Sequence, residues 1–512
     1  MIKKQLSILE ESVKDALLKP LGDLDLEEYG IVLSLDRGIV IVKGLYKVKY
    51  QELVEFSNGI LGMVYNLNSD RTGIILLGNY ENIRAGDRVK RTYKVASIPV
   101  SEDYLGRVIN PLGKVLDEKG PIDTGIIMPV EREAPPIMHR APINKPLQTG
   151  IKVIDSIVPV GKGQRELILG DRQTGKTAIA IDTIINQKDK NVICIYCSIA
   201  QQISSVSKII DVLKTYDALS YTIVVMAGAE DPPGLAYIAP YAATTIAEFF
   251  MENGHDVLII YDDLTKHARA YRELSLLLER PSGRESYPGD IFYIHSRLLE
   301  RSTHLKPEYG GGSITALPII ETQAENLSSY IPTNLISITD GQIYLSPKIF
   351  QKGNIPAVDI GTSVSRVGGK TQIPAYRQIT TSLKLTYSQF SELEVFSTFS
   401  ARLDEKTKII LERGKRIRKV LNQAQYKPID VTDQIAVLIA VLSGLFDDVD
   451  IEMIGQAEKI AIKTASKNLE FQLSISELNK IDDRIRDDFL KETALEITKE
   501  LVNKDAKSKK HR

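Results

Sequence analysis

The sequence contains 512 residues, of which 43% are hydrophobic and 26% are charged, enough for about two to four domains with real cores. The net charge of −1 gives no overall electrostatic footprint for nucleic acid, although local patches can hide in a neutral total. No apolar run reaches the ~18 residues that a membrane-spanning helix needs. The two cysteines exclude a disulfide framework, and the six scattered histidines predict no metal cluster.

The first 96 residues predict a docking segment followed by a small barrel. The pattern of residues 1–26 predicts an amphipathic docking helix or arm of mixed charge, unlike a signal peptide. Over residues 27–96, short β-branched runs alternate with turn signals such as Asn58-Gly59 and Ala85-Gly86-Asp87. Strands this short and this evenly spaced favour a small closed β-barrel.

Residues 97–372 predict an α/β domain. Its first part, residues 97–160, is irregular and rich in proline. Strands and helices then alternate, as expected for a nucleotide-binding domain. We expect a helix over residues 241–252, and no helix over residues 279–295 because of their Gly and Pro content. The expected late strands cover residues 315–320, 335–339 and 342–345.

Glycine becomes sparse after residue 373, and helical periodicity takes over. Residues 373–505 therefore predict a C-terminal helical domain. The lysine-rich tail, residues 506–512, predicts a disordered end. The whole pattern indicates a multidomain protein with an N-terminal β-barrel, a central α/β nucleotide-binding domain and a C-terminal α-helical domain.

Residues 170–177 spell Gly-Asp-Arg-Gln-Thr-Gly-Lys-Thr, the G-x-x-x-x-G-K-T pattern of a phosphate-binding loop. A short apolar strand pattern precedes it and a helical pattern follows. The glycines let backbone N–H groups turn inward around an anion, and the helix N-terminus adds positive charge. We expect Lys176 to contact nucleotide phosphates and Thr177 to hold Mg²⁺. The predicted nucleotide contacts of the loop are Gly170, Asp171, Arg172, Gln173, Thr174, Gly175, Lys176 and Thr177.

The acidic pair Asp262-Asp263 follows an apolar run at residues 257–261. In folds with a phosphate loop, the first carboxylate after such a strand holds Mg²⁺, usually through water. The alternative is an N-cap for the next helix, for which Asp263 is the better candidate. The two roles are compatible, so we predict Asp262 as a metal-site residue.

Longer strings around these motifs resemble one protein family. The stretch Gly163-Gln-Arg-Glu-Leu-Ile-Leu-Gly-Asp-Arg-Gln-Thr-Gly-Lys-Thr is similar, almost residue for residue, to α subunits of F-type ATP synthases. Ile260-Tyr-Asp-Asp-Leu and Ser363-Val-Ser-Arg-Val-Gly-Gly match as well. The likeness extends from about residue 28 to about residue 445 and weakens at both ends. It implies a RecA-like phosphate-loop domain, and it also allows an alternate or second-copy α subunit.

The resemblance implies a nucleotide site that binds ATP without hydrolysing it. Hydrolysis needs a carboxylate that orients and polarises the attacking water. In the catalytic β subunits of the family this group follows the strand after the phosphate-loop helix, and this sequence has Gln201 there. A neutral amide is a poor proton acceptor, so we expect binding of ATP or ADP with Mg²⁺ without hydrolysis. The alternative for Gln201 is an ordinary polar residue at a strand end.

The resemblance also implies that Arg366 is an arginine finger that completes the catalytic site of a neighbouring β subunit. A guanidinium neutralises the charge that grows in the transition state, which is worth about 10³–10⁵ in rate in related enzymes. Ser363 and Ser337 would lie at the same interface. Without the resemblance, Arg366 is as easily a surface or salt-bridged arginine.

Two segments match the nucleotide site of the family only in part. Gln423-Ala424-Gln425 matches a segment that contacts adenine, so Gln423 and Gln425 are predicted nucleotide contacts, with Gln201 and Pro356. The loop before Pro356 carries Ile355 where the family commonly has arginine. The family's Ile-Gly-Gln-Lys stretch is Ile199-Ala-Gln-Gln here. These departures concern the affinity for nucleotide rather than the fold.

The resemblance implies a regulatory, non-catalytic α subunit of a membrane-associated ATP synthase, which makes ATP from ADP and phosphate with a proton or sodium gradient. The implied partners are β subunits in an alternating hexameric ring, the γ central stalk, and the δ and b peripheral stalk, with no nucleic acid. The implied location is peripheral, on the cytoplasmic side of the cell (inner) membrane, with membrane contact only through the ion-translocating sector.

Two other functions stay open. A hexameric RNA-dependent ATPase or helicase of the transcription-terminator type also has an N-terminal barrel before its phosphate loop. A catalytic homohexameric ATPase, such as a secretion motor, would turn over alone. The long helical region after residue 373 disfavours the first, and Gln201 disfavours both.

Overall fold

The computed structural model describes residues 28–122, 125–397, 404–476 and 481–502. The predicted N-terminal arm and C-terminal tail lie outside the described residues. The chain divides into two compact units, one that ends at Val95 and one that begins at Ala96.

The first unit is a closed β-barrel, as predicted. Its strands are β1 (Tyr29–Asp36), β2 (Ile39–Lys43), β3 (Glu52–Phe56), β4 (Leu61–Leu67), β5 (Thr72–Leu76) and β6 (Arg88–Val95). They pair antiparallel in the order β1-β2-β5-β4-β3-β6 and close on β1. Alternate residues of β3 are buried, because one face of each strand points into the barrel. Val40, Val54 and Ile74 form part of this core.

The second unit is built on an eight-stranded sheet. Its strands, within the described ranges, are β7 (Ser97–Val100), β8 (Val108–Ile109), β9 (Ile126–Pro129), β10 (Pro146–Leu147), β11 (Val160–Gly161), β12 (Leu167–Gly170), β13 (Val192–Gln201), β14 (Thr222–Gly228), β15 (Asp256–Asp262), β16 (Ser313–Glu321), β17 (Gly341–Leu345) and β18 (Val364–Ser365). The main sheet has the order β18-β17-β12-β16-β15-β13-β14-β8. In that described sheet, only β18 runs antiparallel to its neighbour. Its central strands are continuously buried, as is typical of parallel sheets covered on both faces.

α-Helices accompany this sheet. Those in the described part of the unit are α1 (Lys152–Ile157), α2 (Lys176–Ile185), α3 (Ile203–Thr215), α4 (Pro233–Glu252), α5 (Leu264–Leu277), α6 (Ile291–Leu299), α7 (Tyr330–Ile338) and α8 (Pro347–Gln351). Helix α4 begins at Pro233, well before the predicted start at residue 241. A proline at the first helical position lacks only an N–H that would be unpaired there, so it starts a helix rather than breaking it.

Two sequence predictions in this region are wrong. Residues 335–339 were expected to form a strand, but residues 335–338 belong to helix α7, because the buried Ile331, Leu335 and Ile338 lie three or four apart on one helix face. Residues 279–295 do contain the start of helix α6. The Gly and Pro content of the segment ends at Gly289, and the helix begins directly after Asp290, which makes no side-chain capping hydrogen bond.

The C-terminal region is helical, as predicted. Its helices are α9 (Pro374–Ser397), α10 (Glu405–Leu421), α11 (Val431–Leu442), α12 (Ile454–Lys467), α13 (Leu469–Ser476) and α14 (Asp483–Ile497). Helix α11 is buried almost all round and lies at the centre. One continuous core joins these helices to the sheet, so the domain boundary at residue 372 stays a prediction. No helix in the described ranges combines the length and apolarity needed to cross a membrane.

Candidate nucleotide site and arginine edge

The phosphate loop connects the buried end of β12 to the start of α2. Gly175 caps the helix with φ of 99°, a backbone conformation that glycine adopts without steric cost. Gly170 is needed for a different reason. A Cβ at Gly170 would lie 2.6 Å from Leu345 O, so the glycine lets β12 and β17 lie close together. Gly175 therefore serves the turn of the loop, and Gly170 serves strand packing.

The inner side chains of the loop bond to the loop itself. Lys176 Nζ donates to Gly170 O at 2.9 Å and to Asp171 O at 2.5 Å. Thr174 Oγ1 donates to Asp171 O, while Asp171 Oδ1 accepts from Thr322 Oγ1 at 2.6 Å. Burial lowers the pKa of Lys176. Asp171 thus anchors the loop to the segment after β16, and Lys176 is the partly buried cation of the loop.

Two other loop residues face outward or into a cavity. Arg172 is exposed, and its Nε donates to Glu321 Oε1 at 2.6 Å. Gln173 has φ of 59° and lines the cavity described below. The predicted loop residues therefore do not all face one ligand surface. Gln173 lines the cavity, whereas Arg172 pairs with Glu321 on the exterior.

Asp262 lies beside the loop, as the sequence predicts. Its Oδ2 accepts from Thr177 Oγ1 at 2.8 Å and from Tyr196 OH at 2.7 Å. Asp263 caps α5 by accepting from Lys266 N at 2.8 Å. Burial, with the nearby Asp262, raises the pKa of Asp263 to about 6. The structure thus gives the N-cap role to Asp263, and the metal role of Asp262 stays a prediction.

Gln201 ends β13, next to the end of β15. It is buried, and its Nε2 donates to the backbone oxygen of Asp262 at 3.0 Å. The strand pairing shifts register between Ile199 and Gln201, which adapts the end of β13 to this position. The amide of Gln201 therefore has a defined backbone partner, and its standing in place of a water-activating carboxylate stays a prediction.

A cavity of about 870 Å³ extends from the phosphate loop toward the C-terminal helices. This volume suits a ligand of nucleotide size. Predicted contacts from both ends of the nucleotide-binding region line it together. These are Gln173, Thr174, Gly175, Lys176, Thr177, Pro356, Gln423 and Gln425.

The two glutamines predicted at the base end of the cavity differ. Gln423 Nε2 donates to Gly150 O at 2.7 Å and to Lys427 O at 2.8 Å, while its Oε1 accepts from Lys152 N. Gln425 is exposed, and among the described residues its amide makes no hydrogen bond. Gln423 therefore holds its own segment against residues 150–152 through hydrogen bonds. Gln425, in contrast, has a side-chain amide that a ligand can bind.

Arg366 lies at a different edge of the unit. Its side chain is exposed, and its guanidinium donates to Ile336 O at 2.9 Å and to Thr339 O at 3.2 Å. Ser337 lies between those two carbonyls and is exposed. Ser363 is buried, and its Oγ accepts from a backbone N–H of β17. The structure brings Arg366 and Ser337 to one surface, whereas the Ser363 side chain points inward.

The three parts of the sequence each match a family model. The β-barrel domain of the ATP synthase alpha/beta family matches residues 25–93, and the nucleotide-binding domain of that family matches residues 150–365. The model of the C-terminal domain found in ATP synthase alpha/beta chains matches residues 372–497. The protein belongs to the ATP synthase alpha/beta family.

Curated relatives place the likeness within the family. The sequence is 59% identical over 456 residues to "ATP synthase subunit alpha 2" of Syntrophus aciditrophicus, with 88% of each protein covered. It is 57% identical over 464 residues to "ATP synthase subunit alpha 1" of Shewanella frigidimarina, with 90% of each covered. The predicted α-type ATP synthase subunit, its three-part fold and its nucleotide binding are thereby confirmed.

Two side chains at the nucleotide site, those of Asp182 and Tyr196, are not predicted from the sequence. Asp182 Oδ1 accepts from Tyr426 N at 2.7 Å, which ties helix α2 to the segment that carries Gln425. Burial raises the pKa of Asp182 to about 6. Tyr196 was hidden in an apolar strand pattern, yet it bonds the carboxylate of Asp262. Neither residue belongs to a motif, so only the fold reveals them.

Proposed function

We propose that this protein is the non-catalytic, nucleotide-binding α subunit of a membrane-associated F-type ATP synthase, which makes ATP from ADP and phosphate with a proton or sodium gradient. One observation carries the non-catalytic part. Gln201 bonds the backbone of Asp262, so an amide occupies the position of a water-activating base beside a complete phosphate loop. The subunit holds nucleotide and leaves the chemistry to a neighbour.

The cavity supports one orientation of the nucleotide. The phosphates lie against residues 170–177, where the N-terminus of α2 and Lys176 favour negative charge. The base lies toward residues 423–426, near the amide of Gln425. Lys176 exchanges its carbonyl partners for phosphate oxygens, which are stronger acceptors because they are charged.

The residues beside the phosphates fit Mg²⁺. Thr177 Oγ1 and Asp262 Oδ2 are hard oxygen atoms 2.8 Å apart, and Mg²⁺ prefers oxygen. No group of three or more His, Cys, Asp or Glu side chains gathers among the described residues. Mg²⁺ usually takes one or two protein ligands together with phosphates and water, so the small donor set suits it. When bound, Mg²⁺ neutralises phosphate charge.

Arg366 is proposed to act on the nucleotide of a neighbour. Strands β12 and β17 run parallel, and the phosphate loop follows the carboxyl end of β12. Arg366 lies at the other end, because it follows Ser365, which pairs with Gly341 at the amino end of β17. Four strand residues separate these ends by about 13 Å. The arginine therefore faces away from its own phosphate loop and serves another subunit, with the exposed Ser337 beside it.

The proposed assembly follows from this division. Alternating copies of this protein and of catalytic β subunits form a hexameric ring around the γ stalk, with δ and b as the peripheral stalk. The ring lies on the cytoplasmic side of the cell membrane and touches it through the ion-translocating sector. Inside the ring, Arg366 extends toward a β-bound nucleotide.

Nucleotide turnover by the purified protein tests the proposal. We expect the protein alone to bind ATP with Mg²⁺ in calorimetry and to show no steady-state hydrolysis. The ring reassembled with β and γ subunits should hydrolyse ATP. Brisk hydrolysis by the isolated protein would overturn the non-catalytic role.

A further inference from the structure

A buried carboxyl group lies behind the arginine edge. Glu166 directly precedes β12 and is fully buried. Its Oε2 accepts from Gln164 Nε2 at 2.6 Å, while its Oε1 has no hydrogen-bond partner among the described residues. A Cβ on Gly341 would lie 2.5 Å from Oε2, so the carboxyl group rests directly on the backbone at the start of β17. A buried oxygen without a partner is costly, which indicates a role that needs it.

Short contacts connect this carboxyl group to the segment that carries Arg366. Gly341 pairs with Ser365 in the β17–β18 ladder. The Gln164 amide that bonds Glu166 also donates to Ser365 Oγ at 3.1 Å. The next residue, Arg366, donates its backbone N–H to Asp340 O at 2.8 Å. One amide therefore bridges the carboxyl group and the residue before the arginine.

Two charged groups act on Glu166 from the elements packed around it. Burial raises the pKa of Glu166 most, Asp340, before β17, raises it further, and Arg366, after β18, lowers it. Asp340 is itself paired with Arg165 at 2.8 Å. The net result is a pKa of Glu166 well above its ordinary value. Among the described residues, the Gln164 amide and the Arg366 guanidinium favour an ionised Glu166, and Arg366 is the cation of the two.

We propose that Glu166 is a positioning residue for Arg366. The neutral carboxyl group leaves the guanidinium free to extend from the Ile336 and Thr339 carbonyls toward a neighbour's phosphates. The ionised carboxylate attracts the guanidinium back toward the sheet through its unpartnered oxygen. Ionisation of Glu166 therefore weakens the delivery of Arg366 as pH rises. This inference rests on the proposed role of Arg366.

The test compares pH profiles of steady-state ATP hydrolysis by the reassembled ring. We expect Glu166→Gln to match the unsubstituted ring at low pH and to exceed it increasingly as pH rises, by about tenfold where Glu166 is ionised. The expected change lies in kcat rather than KM. Glu300→Gln is the matched control, because Glu300 pairs with Arg165 at 2.6 Å in the same network and its substitution should leave the profile unchanged.

The outcomes separate the inference from the proposed function. A ratio of the two rates that stays constant or falls with pH would overturn the positioning role. Glu166→Met, which is also neutral and of similar length, repeats the test if the glutamine variant does not assemble. Failure of both to assemble would make Glu166 a folding residue and would likewise overturn the inference. Full activity of Arg366→Ala would instead overturn the arginine finger itself.

Discussion

The phosphate loop and the arginine edge hold their cations in different ways. Lys176 is partly buried and bonds two carbonyls inside its own loop. Arg366 is exposed and bonds two carbonyls at the end of α7, at the opposite end of the same parallel strands. We propose that the first cation holds a ligand of this protein and that the second acts on a ligand outside it. On this proposal, one sheet serves two nucleotides from its two ends.

The two regions also differ in what surrounds the cation. Beside the loop, Asp262 bonds both Gln201 and Thr177, so the polar groups are fixed before a ligand arrives. Behind Arg366, the carboxyl group of Glu166 has one oxygen without a partner among the described residues. Polar groups that are fixed in advance suit steady binding. The unpartnered oxygen of Glu166 is the acceptor toward which we propose that Arg366 is drawn back.

Substitution of the arginine should have the largest effect. Arg366→Ala should lower ATP hydrolysis by the reassembled ring by about 10³–10⁵, because the transition-state charge loses its guanidinium. Binding of ATP by the isolated protein should not change, since its own loop is intact. Arg484→Ala is the control, because Arg484 is an exposed arginine of α14. A rate within a few fold of the unsubstituted ring would remove the distinction between the regions.

Substitution of the loop cation should show the reverse pattern. Lys176→Met should weaken ATP binding by the isolated protein about 10–100-fold, since a charge-assisted contact is worth roughly 1.5–3 kcal/mol. Titration calorimetry measures this affinity. The control Lys188→Met removes an exposed lysine that pairs with Asp217. Unchanged affinity would show that residues 170–177 do not hold the phosphates.

Substitution of Asp262, the predicted metal-site carboxylate, separates binding of Mg²⁺ from binding of the phosphates. Asp262→Asn should reduce the part of the ATP affinity that depends on Mg²⁺ by about tenfold, as for residues that hold a metal through water. In excess EDTA the variant and the unsubstituted protein should bind ATP alike. The control Asp211→Asn changes an exposed aspartate of α3. An equal loss with and without Mg²⁺ would indicate a structural role for Asp262.

A buried histidine pair lies outside both regions and should affect stability alone. His267 Nε2 donates to Tyr237 O, so its Nδ1 accepts from His295 Nε2 at 3.3 Å. Burial lowers the pKa of His267 to about 4 and holds the pKa of His295 well below its ordinary value. The unfolded protein binds these protons near pH 6.5, so their contribution to stability is complete above that pH and is lost as pH falls toward 4.

The histidine prediction is tested by comparing the pH dependence of the unfolding free energy in His267→Gln and in the unsubstituted protein. Glutamine can keep both hydrogen bonds of His267 without titrating, so His267→Gln should flatten the pH dependence of the unfolding free energy by about 1.4 kcal/mol per pH unit between pH ~6 and ~4. Urea unfolding at several pH values gives this slope, and the difference removes the opposing effects of Asp182 and Asp263. Identical slopes in the two proteins would contradict a buried neutral His267.

The sequence predicts the site residues that belong to local motifs. It does not predict contacts between segments that lie far apart in the sequence. Residues 170–177 and Asp262 are found in advance because their chemistry requires fixed residue types beside a strand and a helix. Helix α7 is missed because its isoleucines favour a strand locally, while burial of one face decides for a helix. Glu166 is visible in the sequence only as a polar residue before a strand. Its proximity to Arg366 depends on β17 and β18, which lie far along the sequence.

The fate of ATP bound to this subunit inside a working ring tests the central claim most directly. The isolated protein is loaded with labelled ATP, assembled with β and γ subunits, and given unlabelled ATP for many turnovers. The account predicts that the label retained on this subunit is recovered as ATP, because Gln201 activates no water. Recovery of the retained label as ADP would contradict it.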